Sequence, residues 1–146
     1  MHKLLDEYLC KKYPKIFRDR RAPMTQTCMC WGIECGEGWY NIIHALCAVI
    51  KGALTDCSFD IRFTQIKEKF GTLRVYYRAE DKSGERMDAD SEVMSLGEIS
   101  GAVRMAEYLS CVTCEVCGKP GKTRGGDWIA TLCKEHEAKR KEVKEN

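Results

Sequence analysis

Residues 114–136 read CEVCGKPGKTRGGDWIATLCKEH, and this stretch decides the architecture of the last third of the chain. Cys114, Cys117, Cys133 and His136 stand in a C-x2-C-x15-C-x2-H array. Three soft sulfurs and an imidazole, in two tight pairs joined by a spacer of this length, make the ligand set of a tetrahedral Zn2+. Protein fills all four positions and leaves none for water. The expected cofactor is therefore one Zn2+ with a structural task. Such binding is worth on the order of 10 kcal/mol at neutral pH, so this segment is expected to hold its fold only with its metal.

Inside the array, CEVCG places Cys114 and Cys117 on a tight turn, and Gly118 lets backbone N–H groups face the sulfurs. KPGKTRGGDWIATL then predicts a short hairpin, with Gly125–Gly126 as its turn and Trp128 and Ile129 packing inward. Cys133 and His136 are three residues apart, which puts both on one side of the first turn of a terminal helix. Knuckle, hairpin and helix-borne ligands in this order resemble the treble-clef zinc fingers. That resemblance implies a metal-organised module and no particular function, since treble clefs serve ribosomal proteins, nucleases and adaptors alike. Cys111 lies one turn before the knuckle at the wrong spacing for a ligand. GKPGKT, residues 118–123, is no phosphate loop: the Walker pattern requires glycine where Val116 stands, and the stretch lies between metal ligands instead of between a strand and a helix.

Upstream, the period of the apolar residues changes twice. Residues 2–12 carry Leu4, Leu5, Tyr8 and Leu9 at helical spacing, and Pro14 limits that helix. Residues 13–30 read as irregular. Gly32, Gly36 and Gly38 mark a loop, and the pattern Trp39, Ile42, Ile43, Leu46, Cys47, Val49, Ile50 predicts a buried helix ending near Gly52. Phe59, Ile61 and Phe63 then alternate with polar residues, as do Leu73, Val75 and Tyr77. Residues 58–68 and 72–79 are expected to form an antiparallel hairpin about Gly71, bulged near Gln65–Ile66 where the alternation slips. Residues 80–90 read as a charged loop tip. Residues 91–110 read as another helix, capped by Asp90 or Ser91 and patterned by Val93, Met94, Leu96, Ile99, Val103, Met105, Ala106 and Leu109. A charged helix over residues 134–146 closes the chain, with Glu135–Lys139 and Glu137–Lys141 at i,i+4.

The fold class expected is α+β. Residues 1–110 form a small helical and β-hairpin domain, and residues 111–146 form the zinc module, packed with it as one compact unit. A chain of 146 residues, 44% hydrophobic, can bury one core. The formal charge of +2 argues against a surface devoted to duplex DNA. No apolar run approaches membrane-spanning length, and the first residues are too charged for a signal peptide. A soluble, intracellular protein without membrane partners is expected. In that compartment the ten cysteines are expected to be reduced, some as ligands and the rest as small buried apolar residues. Cys28, Cys30 and Cys35 are the second set to weigh as ligands, with Cys10, His44, Cys47 or Cys57 as a fourth. C-x-C-x4-C is not a common frame, and buried free thiols are the default. His44, on the apolar helix, reads as a core or rim residue.

Two candidate surfaces remain. Trp31, Glu34, Glu37, Trp39 and Tyr40 form an aromatic and acidic cluster at the start of the buried helix, readable as a hydrophobic staple or as a binding pocket. Lys67, Lys69, Arg74 and Arg78 face away from the apolar set of the hairpin, and the zinc loop adds Lys119, Lys122 and Arg124. These cations read as a solvated face or, together with Tyr76, as a surface for phosphates and stacked bases. No catalytic set emerges. There is no nucleophile elbow and no metal with an open position, and only three histidines occur, one of them a ligand.

The strings KKYPKIFRDR, MCWGIECGEGWYNIIHALC, IKEKFGTLRVYY and AEYLSCVTCEVCGKPG…DWIATLCKEH resemble a family of small, mostly uncharacterised proteins encoded by bacteriophages and prophages. The resemblance runs over most of the chain. It implies synthesis in the cytoplasm of a bacterial host and an accessory role, and it brings no catalytic residues. The first expectation is thus a non-catalytic zinc protein that binds a host target, either a defence protein or a nucleotide signal. The second is an RNA- or DNA-binding accessory protein using the basic hairpin and zinc loop. A small nuclease-like enzyme, which would require a second metal, is third.

Overall fold

A computed structural model of the chain describes residues 1–55, 57–83, 93–126 and 128–145. Helix α1, Lys3–Lys12, starts at His2, whose side chain accepts a hydrogen bond from the Leu4 N–H. It carries Lys11 and Lys12 in its last turn and stops before Pro14, which could not continue it. Its inner face differs from the sequence expectation. Leu9 is buried, but Leu4 and Tyr8 are exposed, and Asp6 takes the inner position instead. The reason is Arg20, whose guanidinium donates to Asp6 at 2.7 and 3.1 Å and to the Cys30 carbonyl at 3.0 Å, so the buried carboxylate is paired.

The segment from Tyr13 to Gly32 is irregular but seated, with short 3-10 turns at Arg18–Arg21 and Cys28–Trp31. Tyr13, Ile16, Phe17 and Met29 all enter the core. Arg62 clamps this segment to the sheet, meeting Asp19 at 2.5 Å and Glu80 at 2.7 Å, while Arg18 meets Glu80 at 2.9 Å.

Helix α2, Tyr40–Ala53, buries Ile43, Leu46, Cys47 and Ile50, the i, i+3, i+4, i+7 stripe of a core helix. Val49, expected with them, is exposed. Strands β2, Phe59–Lys69, and β3, Thr72–Asp81, pair antiparallel with a register shift between Phe63 and Gln65, beside the place where the alternation slips. The bulge lets Phe59, Ile61 and Phe63 on one side of it and Ile66 on the other all face the core. Phe70 and Gly71 form the tip, both at positive φ (54° and 76°), the backbone of a two-residue turn that follows the strand twist. Where the glycine spacing predicts loop, a short strand, β1 at Ile33–Glu34, adds parallel to β2 with Ile33 opposite Ile66 and Glu34 opposite Lys67.

Helix α3, Val93–Ser110, turns Ile99, Val103, Ala106 and Ser110 inward. Met94, Met105 and Leu109, part of the predicted pattern, lie on its outer side. The helix also closes the free edge of β3: the Leu73 N–H donates to Ser110 Oγ at 2.8 Å and the Val75 N–H to Glu107 Oε1 at 3.1 Å. The proposed caps Asp90 and Ser91, and residues 84–90 of the predicted loop tip, lie outside the described residues. A two-stranded sheet of β4, Lys122–Arg124, and β5, Ala130–Leu132, and then helix α4, Lys134–Glu145, complete a mixed α+β fold. Among the described residues no helix is long and apolar enough to cross a membrane.

Candidate metal centre

Cys114 and Cys117 lie on the turn that follows α3, Cys133 follows β5, and His136 is in the first turn of α4. Their ligand atoms all fall within 4.8 Å of one another. Cys114 Sγ is 3.5 Å from His136 Nδ1, Cys133 Sγ is 3.3 Å from the same nitrogen, and the Cys117 and Cys133 sulfurs are 3.9 Å apart. A tetrahedral ion with bonds of about 2.3 Å to sulfur and 2.0 Å to nitrogen has edges of roughly 3.5–3.8 Å. The four groups therefore fit one ion at their centre and can hold a metal. Among the described residues no other three His, Cys, Asp or Glu side chains gather in this way.

The local backbone favours ionisation at two of the three sulfurs, those of Cys114 and Cys133. Burial opposes charge on Cys114, but backbone N–H groups of Cys133, Cys117 and Val116 bring its pKa below the ordinary thiol value. The His136 N–H does the same for Cys133, at the head of α4. Gly118, at φ 74°, closes the knuckle with its N–H on the Cys114 carbonyl at 2.9 Å.

The knuckle is built into the rest of the molecule. The Gly38 N–H donates to the Glu115 carbonyl at 2.7 Å, the Gly36 N–H to Glu115 Oε1 at 2.9 Å, and Trp39 Nε1 to the Thr113 carbonyl at 2.8 Å. At Gly38 a Cβ would collide with the Cys114 carbonyl, so only glycine admits the knuckle here. On the other side Thr131 Oγ1 donates to the Gly71 carbonyl at 2.6 Å, joining the β2–β3 tip to β5. Burial raises the pKa of the Glu115 carboxyl, while the Gly36 N–H opposes that rise. The sequence signal for this cradle was the G-x-G pair ahead of Trp39, two glycines in a place where a loop alone requires neither.

The aromatic cluster does not form one surface. Trp39, a candidate anchor, is fully buried, with its indole N–H spent on Thr113, so it is corrected from binding residue to core residue. Trp31 and Glu37 are exposed, and Tyr40 is half-buried beside His44, ring centroids 5.8 Å apart. His44 is a rim residue whose Nε2 meets Lys12 Nζ at 2.9 Å. Trp128, expected to pack inward, is 67% exposed, and Ile129 is 38% exposed. The short β4–β5 hairpin spends its buried positions on Ala130, Thr131 and Leu132 instead. Cys35 is buried, Cys30 partly buried and Cys28 exposed.

The cations divide. Lys67, Lys69, Arg74, Tyr76 and Arg78 share the outer face of β2 and β3, as the alternation predicted. Lys67 Nζ stands 5.5 Å over the Tyr76 ring, and Tyr76 is 43% exposed. Among the described residues none of these four cations forms an ion pair. Glu34 lies across from Lys67 and accepts a hydrogen bond from Gln65 at 3.4 Å. In the metal module Lys122 is exposed, but Lys119 pairs with Glu135 at 3.4 Å and Arg124 with Glu137 at 3.0 Å, which withdraws both from a common basic surface. Comparison with known proteins brings no match, whether to a family model, a curated relative or a solved structure.

Proposed function

We propose that the protein is a non-catalytic binding protein, that the ion in its Cys3His site is a structural Zn2+, and that it takes a nucleotidic ligand on the outer face of β2–β3. Four protein ligands at tetrahedral spacing favour zinc, and none of the four positions is left for a reacting water. The order of knuckle, β4–β5 hairpin and helix-borne His136 supports a treble-clef-like module. In the setting that the phage resemblance implies, the target belongs to the bacterial host.

One observation carries the choice of ligand. Lys67, Arg74 and Arg78 flank an exposed Tyr76 on a single sheet face, without ion-pair partners among the described residues. Cations for phosphates beside an aromatic ring for a base are the elements of single-strand and nucleotide recognition. A defence protein would draw on a cluster of exposed aromatic anchors; Trp31 and Trp128 are exposed, but Trp39, the centre of the expected cluster, is buried.

The test is a titration of the zinc-loaded protein with a labelled oligothymidylate and, separately, with mononucleotides, at two salt concentrations. Binding that weakens with salt, and at least about tenfold with Arg74→Glu/Arg78→Glu or Tyr76→Ala, supports the reading. If the strand binds and mononucleotides do not, the ligand is a nucleic acid; the reverse result identifies a nucleotide signal. No binding of either at low salt overturns the proposal. Native mass spectrometry checks the metal: one zinc per chain is expected.

A further inference from the structure

We infer that the cleft between the end of α1 and the end of α2 is a second binding site, for a small organic phosphate with an apolar or aromatic body. The cleft has a volume of about 620 Å³, within the range of small-molecule sites. Pro14 turns the chain at the end of α1 and Leu54 caps α2, and these two residues with Ile16 form an apolar floor. Four lysines stand around it: Lys11 and Lys12 from the last turn of α1, Lys15 just beyond it, and Lys51 from the last turn of α2. Among the described residues Asp60 is the one lining carboxylate, and it meets Lys15 at 3.7 Å. The described lining thus carries three cations beyond its one acid, whereas the whole chain carries a net charge of only +2.

Lysines in a final helical turn complement the helix dipole, which accounts for part of this arrangement. It does not account for Lys15, which lies beyond the helix, or for the surroundings of Lys12. The Lys12 ammonium has no carboxylate partner among the described residues, sits 2.9 Å from the imidazole Nε2 of His44, and lies over the rings of Tyr8 and Tyr13 at 5.4 and 5.9 Å. Two basic groups held together by an imidazole lone pair and π faces leave a positive potential at the cleft edge. Ammonium groups on flexible stems suit a phosphoryl head as point charges, and the floor offers apolar area to the body behind it. The site is separate from the outer sheet face and stands or falls apart from the nucleotidic reading.

Titration of the 15N-labelled, zinc-loaded protein with phenyl phosphate, inorganic phosphate and phenol tests it. Phenyl phosphate is expected to shift the amides of Ile16, Lys51, Leu54 and Thr55, and to bind at least about tenfold more tightly than either fragment. Lys12→Glu/Lys51→Glu should weaken it about tenfold, with Arg74→Glu/Arg78→Glu leaving it unchanged. Equal affinity for inorganic and phenyl phosphate, shifts confined to the sheet face, or no shifts at millimolar ligand would each overturn the inference.

Discussion

Removing the metal should loosen the structure well beyond the four ligands, and Trp39 should report it. Once the knuckle opens, the N–H groups of Gly36, Gly38 and Trp39 lose the acceptors that Glu115 and Thr113 hold in place. Three donors at about 1 kcal/mol each amount to about 3 kcal/mol in the part of the molecule that contains no ligand. For a chain near this length that corresponds to a fall in Tm of roughly 6–12 °C, in addition to the unfolding of the module itself. The fluorescence assay is selective because the chain has three tryptophans, and Trp31 and Trp128 are already 61% and 67% exposed while Trp39 is fully buried. Titration with a chelator, followed by emission wavelength and by released zinc, should give a red shift that tracks metal loss, with His136→Ala giving the same end state. A metal-free protein that keeps its emission maximum and its Tm would refute the coupling and leave the module an independent appendage.

Three further outcomes are expected. Gly38→Ala should lose metal and fold poorly, since its Cβ meets the Cys114 backbone, whereas Gly52→Ala, with open space around it, should stabilise α2 by about 0.5–1 kcal/mol; metal content and thermal melts separate the two. Arg62→Met should cost about 2 kcal/mol in urea denaturation, less than the roughly 3–5 kcal/mol of a fully buried break, because it strands Asp19 at a position that keeps some solvent while Glu80 keeps Arg18. Stability should fall above about pH 9: burial pushes the Cys35 thiol up to about 12 and Cys47 higher still, so the unfolded chain ionises at alkaline pH while the folded chain keeps its protons. The loss is about 1.4 kcal/mol per pH unit for each thiol, and Cys47→Ala should remove one proton's share of that slope.

Local pattern was enough wherever one residue's neighbours in the chain decide its environment. The i, i+3, i+4, i+7 stripe of α2, the alternation and slip in β2, the turn at Gly71 and the spacing of Cys114, Cys117, Cys133 and His136 are of this kind, because helical period, pleat and ligand reach act over a few residues. Trp128 and Leu4 were misplaced because an apolar side chain goes inside only where another element covers it, and none covers these two. The parallel pairing of Ile33–Glu34 with β2, the exchange of Asp6 for Tyr8 on the inner face of α1, and the seating of Glu115 on Gly36 and Gly38 join residues from 14 to 79 positions apart. The chain alone thus determined the four candidate metal ligands and the main elements, since those depend on near neighbours. Only the tertiary structure decided how the knuckle locks onto the core, which cations find an acid among the described residues and where the lysines gather, since those depend on surfaces that meet only when the chain has folded.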